Sequence, residues 1–164
     1  MSEQKLRIIP IGGLGEVGKN MMVVEYNEQI LIIDAGLMFP ENDMLGIDCI
    51  IPDFQYLLDK RDKVNGIIVT HGHEDHTGAM HHLLEEVKAP IYASPLTRGL
   101  VEVKLSRGGL LNQLQVNTIN AGQMVNIGPF QVEFFHVCHS IPDGVGLGIT
   151  TPAGLIIHSG DFKF

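Results

Sequence analysis

The sequence has no tryptophan, only two cysteines and few aromatic residues, 6% in all. Two cysteines without C-x-x-C spacing exclude a disulfide scaffold and a cysteine-based zinc ribbon. Cys49 and Cys138 lie in the apolar stretches DCIIP and FFHVCHS and are read as buried, reduced structural thiols; Cys138 adjoins a histidine and is a weaker candidate ligand. No run approaches the ~18 uninterrupted apolar residues of a membrane span. The opening MSEQKLRIIPIGG also lacks the apolar core and cleavage site of a secretory signal. A cytoplasmic protein with no membrane partner is therefore expected. Basic residues are short as well: 11 Lys and Arg against 19 Asp and Glu give a net charge of −8. Such a surface disfavours nonspecific binding of nucleic acid by charge alone. It does not exclude a nuclease, because metal ions can neutralise an acidic site.

What remains is 45% apolar over 164 residues, enough for one domain with a core, with no internal repeat or low-complexity tract. Apolar runs rich in Val and Ile predict strands over residues 6–11, 20–26, 29–34 and 65–70, with Asn27-Glu28 as a short hairpin connection. An irregular stretch follows residue 34, and a short helix is expected over 53–60. Helical spacing of Met80, Leu83, Leu84 and Val87 predicts a helix over 77–87, and a second runs over 96–107 until Gly108-Gly109 stops it. A short strand is read at 90–93. The remainder reads as strands at 115–120, 123–127, 130–137, 145–151 and 154–158. Strands with helices inserted between some of them indicate an α/β or α+β fold with helix-covered sheets.

The stretch GGLGEVGKN (12–20) satisfies both G-x-G-x-x-G and G-x-x-x-x-G-K, with Asn20 where a phosphate loop carries Ser or Thr. Both motifs require a helix whose N-terminal amides face a phosphate. Here Val23, Val24 and Tyr26 favour a strand, and about seven residues are too few for a βαβ crossover. The glycines are read instead as a tight strand-to-strand loop at a close backbone approach.

The strongest chemical signal is THGHEDHTG (70–78), which places His71, His73, Asp75 and His76 directly after an apolar strand. Imidazole and carboxylate are the donors that zinc, manganese and iron accept. Positions 71 and 73 can point the same way from an extended turn, toward one ion, while Asp75 and His76 enter a helix and can face a second. A polar surface loop would have no reason to concentrate three of the chain's eight histidines in six residues. Two more candidates close apolar strands, His139 after FQVEFFHVC and Asp161 after GLIIHSG, and a carboxylate such as Asp161 can bridge two ions. Asp34 closes QILIID and is expected to orient a ligand histidine or to hold the loop. His81 and His82 read as a solvated helix face, and His136 and His158 as structural.

These residues, HGHEDH with His139, Asp161 and Asp34, resemble the metallo-β-lactamase superfamily with its H-x-H-x-D-H signature. The stretches at 9–21, 33–48, 90–100, 139–146 and 158–164 narrow the resemblance to the ribonuclease J group of β-CASP nucleases, across nearly the whole chain. The resemblance implies an αββα sandwich, of which residues 1–164 form the N-terminal portion. The β-CASP insert, the second half of the sandwich and a last metal-binding histidine lie outside them. It implies His71, His73 and His139 on one divalent ion, Asp75 and His76 on the other, and Asp161 shared, with zinc the first choice and manganese the second. It further implies an RNA substrate cut from the 5′ end or internally, a homo-oligomer, and a place in RNA maturation and decay beside other RNA-decay proteins.

On that reading Asp75, His76 and Asp161 carry the chemistry: a water between two cations loses its proton and attacks phosphorus in line. The acid that protonates the leaving 3′ oxygen is expected beyond residue 164. Two other readings compete: a hydrolase of small thioesters or lactams on the same metal core, and a noncatalytic scaffold that keeps the fold without metal.

Overall fold

A computed structural model describes residues 5–164. The two faces of its central sheet are set by alternation in the first strands. In β2 (Met21–Tyr26) and β3 (Gln29–Ile33), Val23, Ile30 and Ile32 face one way while Val24, Leu31 and Ile33 face the other, and all are buried. A strand buried on both faces reads as a continuous apolar run, as these do. The hairpin between them closes on Asn27 and Glu28, both at positive φ. β1 (Leu6–Gly12) pairs antiparallel with β2. On the other side of β3 the sheet turns parallel through β4 (Val64–Val69), β5 (Ile91–Ala93) and β6 (Val116–Thr118), giving the order β1-β2-β3-β4-β5-β6.

Helices fill the crossovers of the parallel half: α1 (Gln55–Leu58), α2 (Glu74–Thr77), α3 (Met80–Glu86) and α4 (Pro95–Arg107). Leu57, Met80, Leu83, Leu84, Val101 and Leu105 seal one face of the sheet. Against the other face lies an antiparallel sheet ordered β10-β9-β8-β7, from β7 (Met124–Ile127), β8 (Phe130–His136), β9 (Val145–Thr151) and β10 (Gly154–His158). Its inward residues Phe130, Val132, Phe134, Leu147 and Ile149 pack on Val24, Leu31, Ile33 and Ile68. The architecture is thus three layers, helix on sheet on sheet, as expected for part of an αββα sandwich.

Two local readings differ from the structure. The helix expected over 77–87 begins only at Met80, as α3, and Thr77 belongs to the separate turn α2; between them Ala79 N donates to Ala35 O (2.9 Å) and ties the chain to the loop after β3. Cys49 and Cys138 are both exposed. Cys49 lies in irregular chain, and Cys138 follows the end of β8 where the chain has left the sheet, so apolar neighbours in sequence do not become neighbours in space. Among the described residues, no helix is long and apolar enough to cross a membrane.

Candidate metal centre

Topology brings the polar residues to one edge. β3 and β4 run parallel, so Asp34 and the Thr70-His71 pair emerge at the same end. β8 and β10 both run antiparallel to β9, so the loops carrying His139 and Asp161 also share an end. Val145 N donates to Thr70 O (3.0 Å) and ties that edge of the second sheet to the first. Function at the C-terminal ends of parallel strands is a general property of open α/β sheets.

Within this edge the donor atoms of His71, His73 and His139 lie within 4.8 Å of one another, and so do those of His71, His76 and Asp161. His71 Nε2 is 3.1 Å from His73 Nδ1, and the His139 ring stands edge-on to both, at 4.9 and 5.0 Å between centroids. Asp161 Oδ2 is 3.4 Å from His76 Nε2 and 3.7 Å from His139 Nε2, so one carboxylate oxygen lies between the two groups. Asp75 Oδ2 is 3.7 Å from His76 Nε2. The six candidate ligands of the sequence therefore meet at one place, including two from distant strand ends.

A layer of buried partners fixes the rings. Asp34 Oδ2 accepts from His76 Nδ1 (2.8 Å) and from Thr70 Oγ1 (2.8 Å), while Oδ1 accepts from Thr70 N (2.7 Å). A carboxylate only accepts, so His76 Nδ1 carries a proton and its Nε2 faces the cluster. His71 Nδ1 contacts Thr70 Oγ1 (3.1 Å), leaving Nε2 likewise inward. Asp34 keeps φ at +62°, in the left-handed region that Asp and Asn tolerate best among residues with a side chain.

Asn20, which the sequence marks only as the end of the glycine loop, also belongs to the site. Its amide donates to Asp75 O (3.1 Å) and Asp75 Oδ2 (3.2 Å) and lies 3.1 Å from His76 Nε2. The available signal was its position, directly after the glycine loop and at the start of a strand. That loop is confirmed as a strand-to-strand turn with close approaches: a Cβ on Gly13, at φ +85°, would strike the Asn20 side chain, and one on Gly12 would strike Lys19 O. Gly12, Gly13 and Asn20 line, with Asp34, His76 and Asp161, a cleft of about 170 Å³. The segment after β3 is equally tight. Ala35 N donates to His76 O, Leu37 N to Glu74 O and Asn20 N to Asp75 O, and a Cβ on Gly36 would overlap the Asp75 carbonyl.

The electrostatics suit a cation. Burial, reinforced by the charge of His76, pushes His71 down to about 4, so the ring is neutral and holds a free lone pair at neutral pH. Burial alone would depress His76 too, but the charge and hydrogen bond of Asp34, then Asp161 and Asp75, push it up to about 9. Three carboxylates around one imidazole thus concentrate negative potential, which a divalent ion would compensate by displacing the Nε2 proton of His76. His139 turns Nε2 toward Asp161 Oδ2, and its Nδ1 is buried without a hydrogen-bond partner.

The other histidines separate cleanly. His81, His82 and Glu85 form a further donor trio on α3. Contrary to a fully solvated face, the His81 ring tucks against Gly108, with Nδ1 buried and unpartnered. Its Nε2 lies 3.3 Å from Glu85 Oε1, one helical turn along α3. His158 Nδ1 accepts from Gly160 N (3.1 Å) and shapes the turn before Asp161.

Comparison with known proteins agrees with this geometry. The sequence profile described as the metallo-beta-lactamase superfamily matches residues 14–163. The chain is 46% identical over all its 164 residues to "Ribonuclease J 1" of Streptococcus pyogenes serotype M3, covering 29% of that protein. It is 43% identical over 98% of its length to "Ribonuclease J 2" of Staphylococcus saprophyticus, again covering 29%. The chain thus spans less than a third of the curated relatives it matches. Among solved structures, the metallo-beta-lactamase fold protein YhfI of Bacillus subtilis superposes with a TM-score of 0.69 at 16% identity, covering 99% of this chain and 64% of that one. With its histidine- and aspartate-bearing strand ends gathered at one sheet edge and a family match over most of its length, the chain belongs to the metallo-β-lactamase superfamily.

Proposed function

We propose that these residues form the metal-binding face of a ribonuclease that hydrolyses RNA phosphodiester bonds, both from the 5′ end and internally, in the cytoplasm. The carrying observation is the pair of donor groups that share His71, with Asp161 Oδ2 3.4 Å from His76 Nε2 and 3.7 Å from His139 Nε2. The RNA substrate is supported by the similarity to ribonuclease J proteins across the whole chain. A homo-oligomer acting with other RNA-decay proteins fits the same similarity.

His71, His73 and His139 would hold one divalent ion, Asp75 and His76 a second, with Asp161 between them. Three imidazoles on one ion favour zinc, then manganese, over magnesium. When bound, such a pair supplies an acidified water and offsets charge on the phosphoryl oxygens. The chain's own part is orientation. Asp34 and Thr70 lock the rings of His76 and His71 with Nε2 inward, and Asn20 holds the Asp75 carboxylate toward His76. Carboxylate partners of ligand histidines commonly have this role.

The test uses the full-length protein. About two equivalents of zinc or manganese and degradation of 5′-monophosphorylated RNA are expected, and His76→Ala should lower turnover at least ~100-fold. Metal-free protein, hydrolysis of a small thioester or lactam but not RNA, or full turnover by the variant would each refute the reading.

A further inference from the structure

Beside the metal ligands lies a second hollow, of about 480 Å³, which nothing in the chemistry above uses. Val17, Leu37, Met38 and Phe39 form its apolar wall, and His73 and Asp75 form the wall it shares with the metal centre. Phe39 is 67% exposed and Val17 is 88% exposed, although large apolar side chains are stabilised by burial. Phe39 packs in neither apolar core cluster. Yet its backbone is firmly held. Met38 and Ile50 exchange two backbone hydrogen bonds (2.8 and 2.9 Å), and Leu37 is bonded on both sides, to Lys19 N and Glu74 O. Gly18, at φ +103°, lets the glycine loop come close enough to touch Met38. An exposed aromatic ring on a pinned backbone is a preformed platform rather than loose surface.

The lining also says what such a platform accepts. Its charged members are Glu74, which pairs with Lys104 outside the hollow, and Asp75, and no lysine or arginine lines it, so nothing there would hold a second phosphate. An uncharged planar ring needs no such partner. We propose that the hollow is a nucleobase subsite, in which the base next to the scissile phosphate of single-stranded RNA stacks on Phe39. The inference rests on the ribonuclease reading. A phosphodiester at the metal centre places its neighbouring nucleoside beside His73 and Asp75, which are the inner wall of the hollow. Stacking on an aromatic face is the usual way a protein holds single-stranded bases without selecting their sequence.

The experiment is a double-mutant cycle in the full-length protein, pairing Phe39→Ala with RNAs that carry one abasic residue moved along the strand. On intact RNA, Phe39→Ala should lower kcat/KM about tenfold, mainly through KM, the size expected for one lost base stack. At one abasic position, wild type and variant should become equal; at the others the tenfold gap should persist. Phe39→Trp should recover the wild-type value. An unchanged kcat/KM in Phe39→Ala, or the same loss at every abasic position, overturns the subsite. A loss accompanied by a falling thermal midpoint also overturns it, because the hollow would then be covered by protein. Those results leave the ribonuclease reading intact, whereas wild-type protein that cuts no RNA sinks both.

Discussion

Asp34 joins two ligand-bearing segments with one carboxylate, taking the backbone and hydroxyl of Thr70 and the ring of His76 at once. Its own titration reflects that position. Burial would raise its pKa, but the charge and hydrogen bond of His76 and the amide of Thr70 hold it below the ordinary aspartate value. Asp34→Asn is the informative substitution, because asparagine tolerates the positive φ and keeps an oxygen that accepts from Thr70. What it removes is the charge that orients His76. Metal affinity, measured by competition with a chromogenic chelator, should fall 10–100-fold, and the thermal midpoint of the metal-free protein should fall as well, because the buried His76 loses its counter-charge. An unaltered affinity would show that the carboxylate only braces the loop.

At the level of elements, β9 and β10 have the limits that alternation and turn residues predict, and the hexapeptide sits where a strand end and helix start were read. The structure departs from the local sequence pattern where long-range backbone bonds decide the outcome. The chain between α2 and α3 is bonded to Ala35, and the role of Asn20 depends on Asp75, 55 residues away. Neither contact has a local sequence signature, whereas a ligand closing an apolar strand does. The same contacts define an element-scale prediction. Residues 35–37 run against 74–76 so closely that Gly36 has no room for a Cβ beneath the Asp75 carbonyl. Gly36→Ala should cost about 1–3 kcal/mol of stability through overpacking, read from the urea midpoint. It should also push Asp75 and His76 off their positions, so that elemental analysis finds one bound ion instead of two. A variant with both ions and wild-type stability would mean that the α2 segment is free to retreat.

At the scale of the whole molecule, the layers are unequally covered. The six-stranded sheet has helices on one face and the second sheet on the other, but the outer face of the four-stranded sheet carries Leu155 and Ile157, 63% and 62% exposed. β10 is also an edge strand, with one row of backbone groups unpaired by the sheet. An apolar face beside an open edge is the ordinary recipe for association between chains. In the 164-residue polypeptide produced alone, the net charge of −8 opposes that tendency only weakly at physiological salt, where charges are screened beyond about 8 Å. The polypeptide should therefore self-associate at micromolar concentration and bind a hydrophobic dye. Lysine at both 155 and 157 should return it toward a monomer in sedimentation velocity without changing metal content, since both side chains lie outside the metal-ligand groups. If the unmodified polypeptide is instead monodisperse and dye-silent, this sheet face is stable in water as it stands, and the apolar pair on β10 needs no cover.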